Sequence, residues 1–126
     1  MENCLFCNIA NKAEEAYILY ENDDVIVFLD KFPKDEHPGH TLVVPKKHQR
    51  LIYEDDFDFN IIKEVNKTAR LLIDKLKCDG IKVVNNNERI AEQVVDHVHI
   101  HVIPYYEDNN HLQSKSLEEI LNIIKG

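Results

Sequence analysis

At 126 residues the chain is long enough for one domain with one core, and positions 1–126 are expected to form it. Its 44% apolar and 30% charged residues are ordinary for a globular protein. With 15 basic against 23 acidic residues the formal charge is -8. That balance speaks against a nucleic-acid binder and leaves any phosphate site to local donors.

The start, Met1-Glu2-Asn3-Cys4, shows no basic segment followed by an apolar one, and no apolar run nears the roughly 20 residues that span a bilayer. Three cysteines, an odd number, suit a reducing compartment better than a disulfide framework. The expectation is a cytoplasmic protein with no membrane partner. A short helical turn is predicted around Cys4–Ala10. Tyr17–Tyr20 and Val25–Leu29 are runs of β-formers separated by the polar turn Glu21-Asn22-Asp23-Asp24, which reads as a hairpin. Lys31–Gly39, with two prolines and a glycine, reads as a loop. Thr41–Val44 reads as a strand ended by Pro45.

Between about Asp58 and Cys78, the apolar residues Ile61, Val65, Ala69, Leu72 and Leu76 recur at three- and four-residue steps. That spacing places them on one face of a helix, with Asp79-Gly80 as its stop. Strands are predicted over Ile81–Asn85 and Val94–Ile103, the second stopped by Pro104. Ser116 and Glu119 form a capping-box pattern ahead of a short amphipathic helix carrying Leu117, Ile120, Leu121 and Ile124. The fold class is therefore α+β: an antiparallel meander sheet with one long helix packed on it and a short C-terminal helix.

The most informative segment is His97-Val98-His99-Ile100-His101-Val102-Ile103. On a strand, alternate side chains point to opposite faces, so three apolar residues face one way and three histidines the other, about 6.5–7 Å apart. Three explanations stand for the histidine row. It is a solvated face that happens to hold imidazoles, a metal site, or a catalytic group. Successive same-face positions on one strand converge poorly on a single ion. An imidazole titrating near pH 6.5 is mostly free to attack at neutral pH, and its neighbours can fix its tautomer and stabilise developing charge.

This segment resembles the histidine triad family pattern, three histidines alternating with apolar residues and followed by two more. Phe28-Leu29-Asp30, the stretch Pro38 to His48, and Val84-Asn85-Asn86-Asn87 are similar to further landmarks of that family, in order. The resemblance covers roughly Cys4 to Pro104. It implies a nucleotide hydrolase or transferase in which His99 attacks the α-phosphorus of a nucleoside phosphoramidate, anhydride or dinucleoside polyphosphate. His101 would donate to phosphate oxygens, with His97 and His40 supporting it. Asp30 matches a ribose contact, Asn85 a phosphate-side amide, and Phe6 and Phe28 apolar residues near the base. Gln93 is the retained glutamine of a family element just before the triad. Without the resemblance, Asp30 reads as a turn residue, the asparagines as a turn, and the two phenylalanines as core. The substrate class implied is a purine nucleotide conjugate, and members with this pattern usually form homodimers through the long helix and an edge strand.

Cys4-Leu5-Phe6-Cys7 is a C-x-x-C without the βαβ context of a redox motif. It is either half a metal site or a pair of small buried hydrophobes. The resemblance extends to a family branch in which a Cys, Cys, His, His set binds zinc. Here that set would be Cys4, Cys7, His48 and His97, and four protein ligands would make the zinc structural. Cys78 reads as core, and His37 and His111 as loop residues.

Two departures from the family bear on activity. Where it usually has Gly-Gln-Ser or Gly-Gln-Thr, this chain has Glu92-Gln93-Val94, and Asp96 adds another acid before the triad. A donor hydroxyl is missing and negative charge is added where an anion approaches. A weak or shifted phosphoramidase activity follows, and a nucleotide-binding regulatory module with little catalysis is the alternative. A zinc-ribbon nucleic-acid binder would want a second C-x-x-C and a basic surface, and this chain has neither.

Overall fold

The computed structural model describes residues 3–32 and 36–126. A one-and-a-half-turn helix, α1 (Leu5–Ala10), leads into the hairpin β1 (Ile18–Glu21) and β2 (Val25–Leu29), followed by β3 (Thr41–Pro45). The long helix α2 (Asn60–Leu76) precedes β4 (Gly80–Val84). β5 (Ile100–Tyr105) and α3 (Leu117–Lys125) complete the chain. Single 3-10 turns lie at Arg89–Ala91 and Asn110–Leu112. Of the loop predicted over Lys31–Gly39, residues 33–35 lie outside the described residues, and the rest is irregular.

The five strands pair antiparallel throughout, in the order β1-β2-β3-β5-β4. The meander thus holds for the first three strands. Helix α2 then carries the chain to the far edge, and β5 returns between β3 and β4. The antiparallel sheet with its long helix and capped C-terminal helix is the predicted α+β class.

Strand β2 is apolar at every position because it is covered on both faces. Val25, Val27 and Leu29 join Val43, Ile100 and Val102 in a core closed by Ile61, Val65, Leu72 and Leu76 of α2 and by Ile120 and Ile124 of α3. Ile26 and Phe28 face the other way, with Leu42 and Val44, against Phe6, Cys7 and Ile9 of α1. Each large aliphatic side chain so buried contributes about 1.5–3 kcal/mol, which anchors both layers to the central strands. The α2 stripe includes Thr68, which is fully buried near the Tyr20 hydroxyl, whereas the predicted Ala69 is half-buried at its margin. The capping box of α3 is complete: Ser116 Oγ accepts from the Glu119 amide, and Glu119 Oε1 accepts from the Ser116 amide.

Three boundaries differ from the sequence expectation. Helix α2 ends on Lys77 in the left-handed conformation (φ 57), its N–H returning to the Ile73 carbonyl. Gly80 instead opens β4 opposite Tyr105. Pro104 does not stop β5, because it pairs with Ile81 inside the ladder. The last strand begins at Ile100 rather than Val94. Extending the β3–β5 register past Val43↔Ile100 would bring the chain to Pro45, which has no N–H to give. Val98 donates instead to the Gln49 carbonyl at 2.6 Å, and residues 97–99 run as irregular backbone. Among the described residues no helix is long and apolar enough to cross a membrane.

Candidate active site and metal centre

On the α1 side of the sheet, the three triad histidines separate into two neighbouring sites. His99 and His101 line a cleft of about 420 Å³, within the range of small-molecule sites. Phe6, Phe28 and Leu42 give that cleft an apolar wall, and Asp30 lies at the end of β2 on its border. His97 is fully buried and turned away from it.

His99 is held from two directions. Its Nδ1 lies 2.8 Å from the carbonyl oxygen of His97, so Nδ1 carries the hydrogen and donates it. The other nitrogen, Nε2, therefore keeps its lone pair, and no group among the described residues binds it. Phe6 packs edge-on against the ring, with centroids 5.0 Å apart. The His99 carbonyl accepts from Asn85 Nδ2 at 3.0 Å. Burial holds the imidazole below its ordinary pKa, opposed by the bond to the His97 carbonyl and by the Asp30 charge. The ring is neutral at pH 7, the state in which it can act as a nucleophile.

His101 is linked to a fourth histidine. Its Nδ1 and His40 Nε2 share a hydrogen at 2.9 Å, and His40 Nδ1 is 3.6 Å from Asp30 Oδ2. Burial, with His99 and His40 nearby, lowers the His101 pKa to about 4. Burial lowers that of His40 also, offset by Asp30. His40 reaches this position because Gly39 (φ 94) turns the chain against α2, where a Cβ would stand 2.3 Å from Leu76 Cδ1.

The second site is formed by Cys4, Cys7, His48 and His97, whose ligand atoms all lie within 4.8 Å of one another. His97 Nε2 donates to the Pro45 carbonyl at 2.7 Å, so Nδ1 presents its lone pair to Cys4 Sγ at 3.3 Å and Cys7 Sγ at 3.5 Å. His48 Nδ1 is 3.3 Å from Cys7 Sγ. Sulfur–nitrogen separations of this size match the edges of a tetrahedron with metal–ligand bonds of roughly 2.0–2.3 Å. Burial and the adjacent Cys4 push the Cys7 thiol up to about 11, so a thiolate there needs a cation beside it. Two soft sulfurs, two imidazoles and a carbonyl that fixes one ring's tautomer suit a tetrahedral metal ion with no open position.

Of the other residues singled out in the sequence, Phe6, Phe28 and Asp30 line the cleft. Asn85 spends its amide on the His99 carbonyl, and of the three consecutive asparagines it is Asn86 that lines the cleft. Gln93 is buried, accepting from the Glu88 amide at 2.7 Å and donating to the Arg50 carbonyl at 2.8 Å. It ties the loop after β4 to the segment after β3 without lining the cleft. Leu5, Lys31 and Phe32 also line the cleft and were not anticipated. Leu5 carried a signal, since it adjoins Phe6 in a helix too short to bury every face.

A five-stranded antiparallel sheet that sets two histidines in a cleft and a third among cysteines defines a histidine-dependent site on an α+β fold. The HIT domain model matches residues 11–108, and the chain belongs to the HIT, or histidine triad, family. An uncharacterized HIT-like protein of Methanocaldococcus jannaschii is 45% identical over 98% of this chain and 99% of its own. The adenosine 5'-monophosphoramidase of Saccharomyces cerevisiae is 34% identical over 86% of this chain and 66% of its own. A zinc-bound histidine triad family protein from Mycobacterium smegmatis superimposes with a TM-score of 0.81 at 25% identity, covering 98% of this chain and 91% of that one.

Proposed function

We propose that this protein, acting as one domain over residues 1–126, hydrolyses or transfers nucleotidyl groups from purine nucleoside phosphoramidates or related conjugates. The observation that carries the reading is the single-tautomer clamp on His99, which leaves Nε2 unprotonated at the cleft. Nε2 forms a bond to the α-phosphorus as the phosphorus–nitrogen bond to the leaving amine breaks, and the amine nitrogen takes a proton from solvent, which the attacking water gives back in the second step. The cation created on the nucleotidyl imidazole is stabilised by the His97 carbonyl on its Nδ1–H. Water then attacks phosphorus, releasing the nucleoside monophosphate and returning His99 to its neutral form. His101, coupled to His40, serves the phosphate oxygens. The phenylalanine wall takes the base and Asp30 the ribose hydroxyls. The naming of the yeast relative supports this reaction class.

In this reading zinc, bound in the Mycobacterium relative, occupies Cys4, Cys7, His48 and His97 as a structural ion. The protein works in the cytoplasm as a two-fold dimer. Ile62 and Ile73 exposed on α2, and the open β4 edge with Val83, are the surfaces such a pair would cover. Sedimentation of the pure protein at tens of micromolar as a monomer would remove the dimer.

The test of the reaction is incubation with an adenosine conjugate labelled at the α-phosphorus, followed by acid-free trapping. Wild type should carry label on His99, and His99→Ala should carry none and lose turnover. A second reading, a nucleotide-binding module with little catalysis, is favoured by Glu92 and Val94 at the cleft. Tight monophosphate binding with neither label nor turnover would select it.

A further inference from the structure

The loop Glu88 to Asp96 contains three acidic residues, and the structure treats them unequally. Glu88 receives both guanidinium nitrogens of Arg50, at 2.8 and 3.0 Å. Asp96 faces Arg89 at 3.6 Å. Glu92 alone has no cation within ion-pair distance among the described residues, and it lines the cleft with His99 and His101. Its backbone is left-handed (φ 73), a conformation that glycine adopts freely and a side-chain-bearing residue takes uncommonly. Glu92 is exposed, and so is Val94, which lines the same cleft. This part of the cleft therefore offers an isopropyl surface and an uncompensated carboxylate.

We infer that Glu92 is a specificity-determining residue that selects conjugates whose leaving group carries a positive charge on an aliphatic stem. The inference rests on the hydrolase reading and assigns it a leaving-group class. In the hydrolase reading the apolar wall of Phe6, Phe28 and Leu42 with Asp30 takes the nucleoside, and Glu92 and Val94, which line the same cleft, are assigned to what departs from phosphorus. An ammonium there meets Glu92, while its methylenes lie against Val94. The phosphoryl group itself carries negative charge, so a cationic leaving group also relieves the repulsion that Glu92 would otherwise impose. A net charge of -8 favours approach of the same class.

The test compares adenosine 5′-phosphoramidates of two amines of matched length, N-(5-aminopentyl) and N-hexyl. The corresponding alkylphosphonate esters, in which carbon replaces the bridging nitrogen, serve as non-reacting ligands for equilibrium binding. Wild type should favour the ammonium-bearing compound by about fivefold to tenfold in kcat/KM and in affinity, an advantage that shrinks as salt is raised. Glu92→Gln should bring both ratios close to one. Turnover of both conjugates with equal ratios in wild type and Glu92→Gln overturns the inference and leaves the hydrolase reading standing. An affinity preference abolished by Glu92→Gln, without turnover or label on His99, does the reverse. Equal binding with no turnover overturns both.

Discussion

The main-chain carbonyl of His97 accepts the Nδ1–H of His99 at 2.8 Å, while the His97 ring is held among Cys4, Cys7 and His48. One residue thus belongs to the Cys/His cluster through its side chain and to the cleft histidine His99 through its backbone. Anything that fixes the His97 ring also fixes the carbonyl that sets the tautomer of His99.

Loss of one sulfur from this cluster should therefore be felt in the cleft. With Cys7→Ser, elemental analysis should show the metal content of the purified protein falling from about one per chain to near zero. Stability should fall by at least ~2 kcal/mol in thermal or urea unfolding, because metal binding to the folded state is linked to folding. Turnover should drop in kcat through the His97 carbonyl, and KM should move as well, because Cys7 packs with Phe6 and Phe28 of the cleft wall. A variant with normal melting and kcat would separate the two sites.

The low pKa of His101 makes the fold acid-sensitive. In the unfolded chain this imidazole titrates near 6.5, and in the folded protein burial brings it down to about 4. Between those values the unfolded state binds the extra proton and the folded state does not, so stability is lost as pH falls through this window. The slope is at most about 1.4 kcal/mol per pH unit for this one group. Urea unfolding of wild type and His101→Asn at pH 7.5, 6.0 and 5.0 should show the shallower decline in the variant. Parallel declines would mean that His101 protonates freely in the folded protein.

Gln93 is a joint between two loops rather than a surface of the cleft. Gln93→Leu keeps the volume but leaves the Glu88 amide and the Arg50 carbonyl, both on half-buried residues, without their partner. A fully buried polar group left without a partner costs about 1–3 kcal/mol and a half-buried one less, so we expect destabilisation of about 1–2 kcal/mol. The same loop carries Asn85, which holds the His99 carbonyl. Turnover should fall with it, and a variant as stable as wild type would show that solvent reaches both groups.

These relationships mark how far the sequence could be read. The period of α2, the hairpin strand Val25–Leu29, the capping box at Ser116 and the alternation of Val98, Ile100 and Val102 follow from local pattern, and each is present. The start of β5 does not follow, because it is decided by Pro45 on another strand, whose missing N–H ends the ladder before His99. The stop of α2 at Lys77 was hidden for a related reason: a glycine nearby offered the easier left-handed residue, yet Gly80 was needed as the first position of β4. The cysteines and histidines of the Cys/His cluster are legible as residue types. The division of the triad between two sites was not, since it depends on which carbonyl each ring meets. Three adjacent asparagines look alike in sequence, and only the fold distinguishes Asn85, which donates to the His99 carbonyl, from Asn86, which lines the cleft.

Val94 offers a gain-of-function test of the cleft. Its side chain is 75% exposed and lines the same cleft as His99 and His101, where it gives no hydrogen bond to a phosphoryl oxygen. Val94→Ser removes two methyl groups from a mostly solvated position, so stability should change by less than about 0.5 kcal/mol. It adds a hydroxyl that can donate to charge growing on phosphorus. A single new hydrogen bond to a charged oxygen contributes about 1.5–3 kcal/mol at most, and less where solvent competes. We therefore expect kcat/KM for unsubstituted adenosine phosphoramidate to rise roughly threefold to tenfold, mainly through kcat. The N-hexyl conjugate should gain less, because it loses apolar contact with the valine. An unchanged rate for the unsubstituted substrate, with melting also unchanged, would place the phosphoryl group beyond reach of position 94.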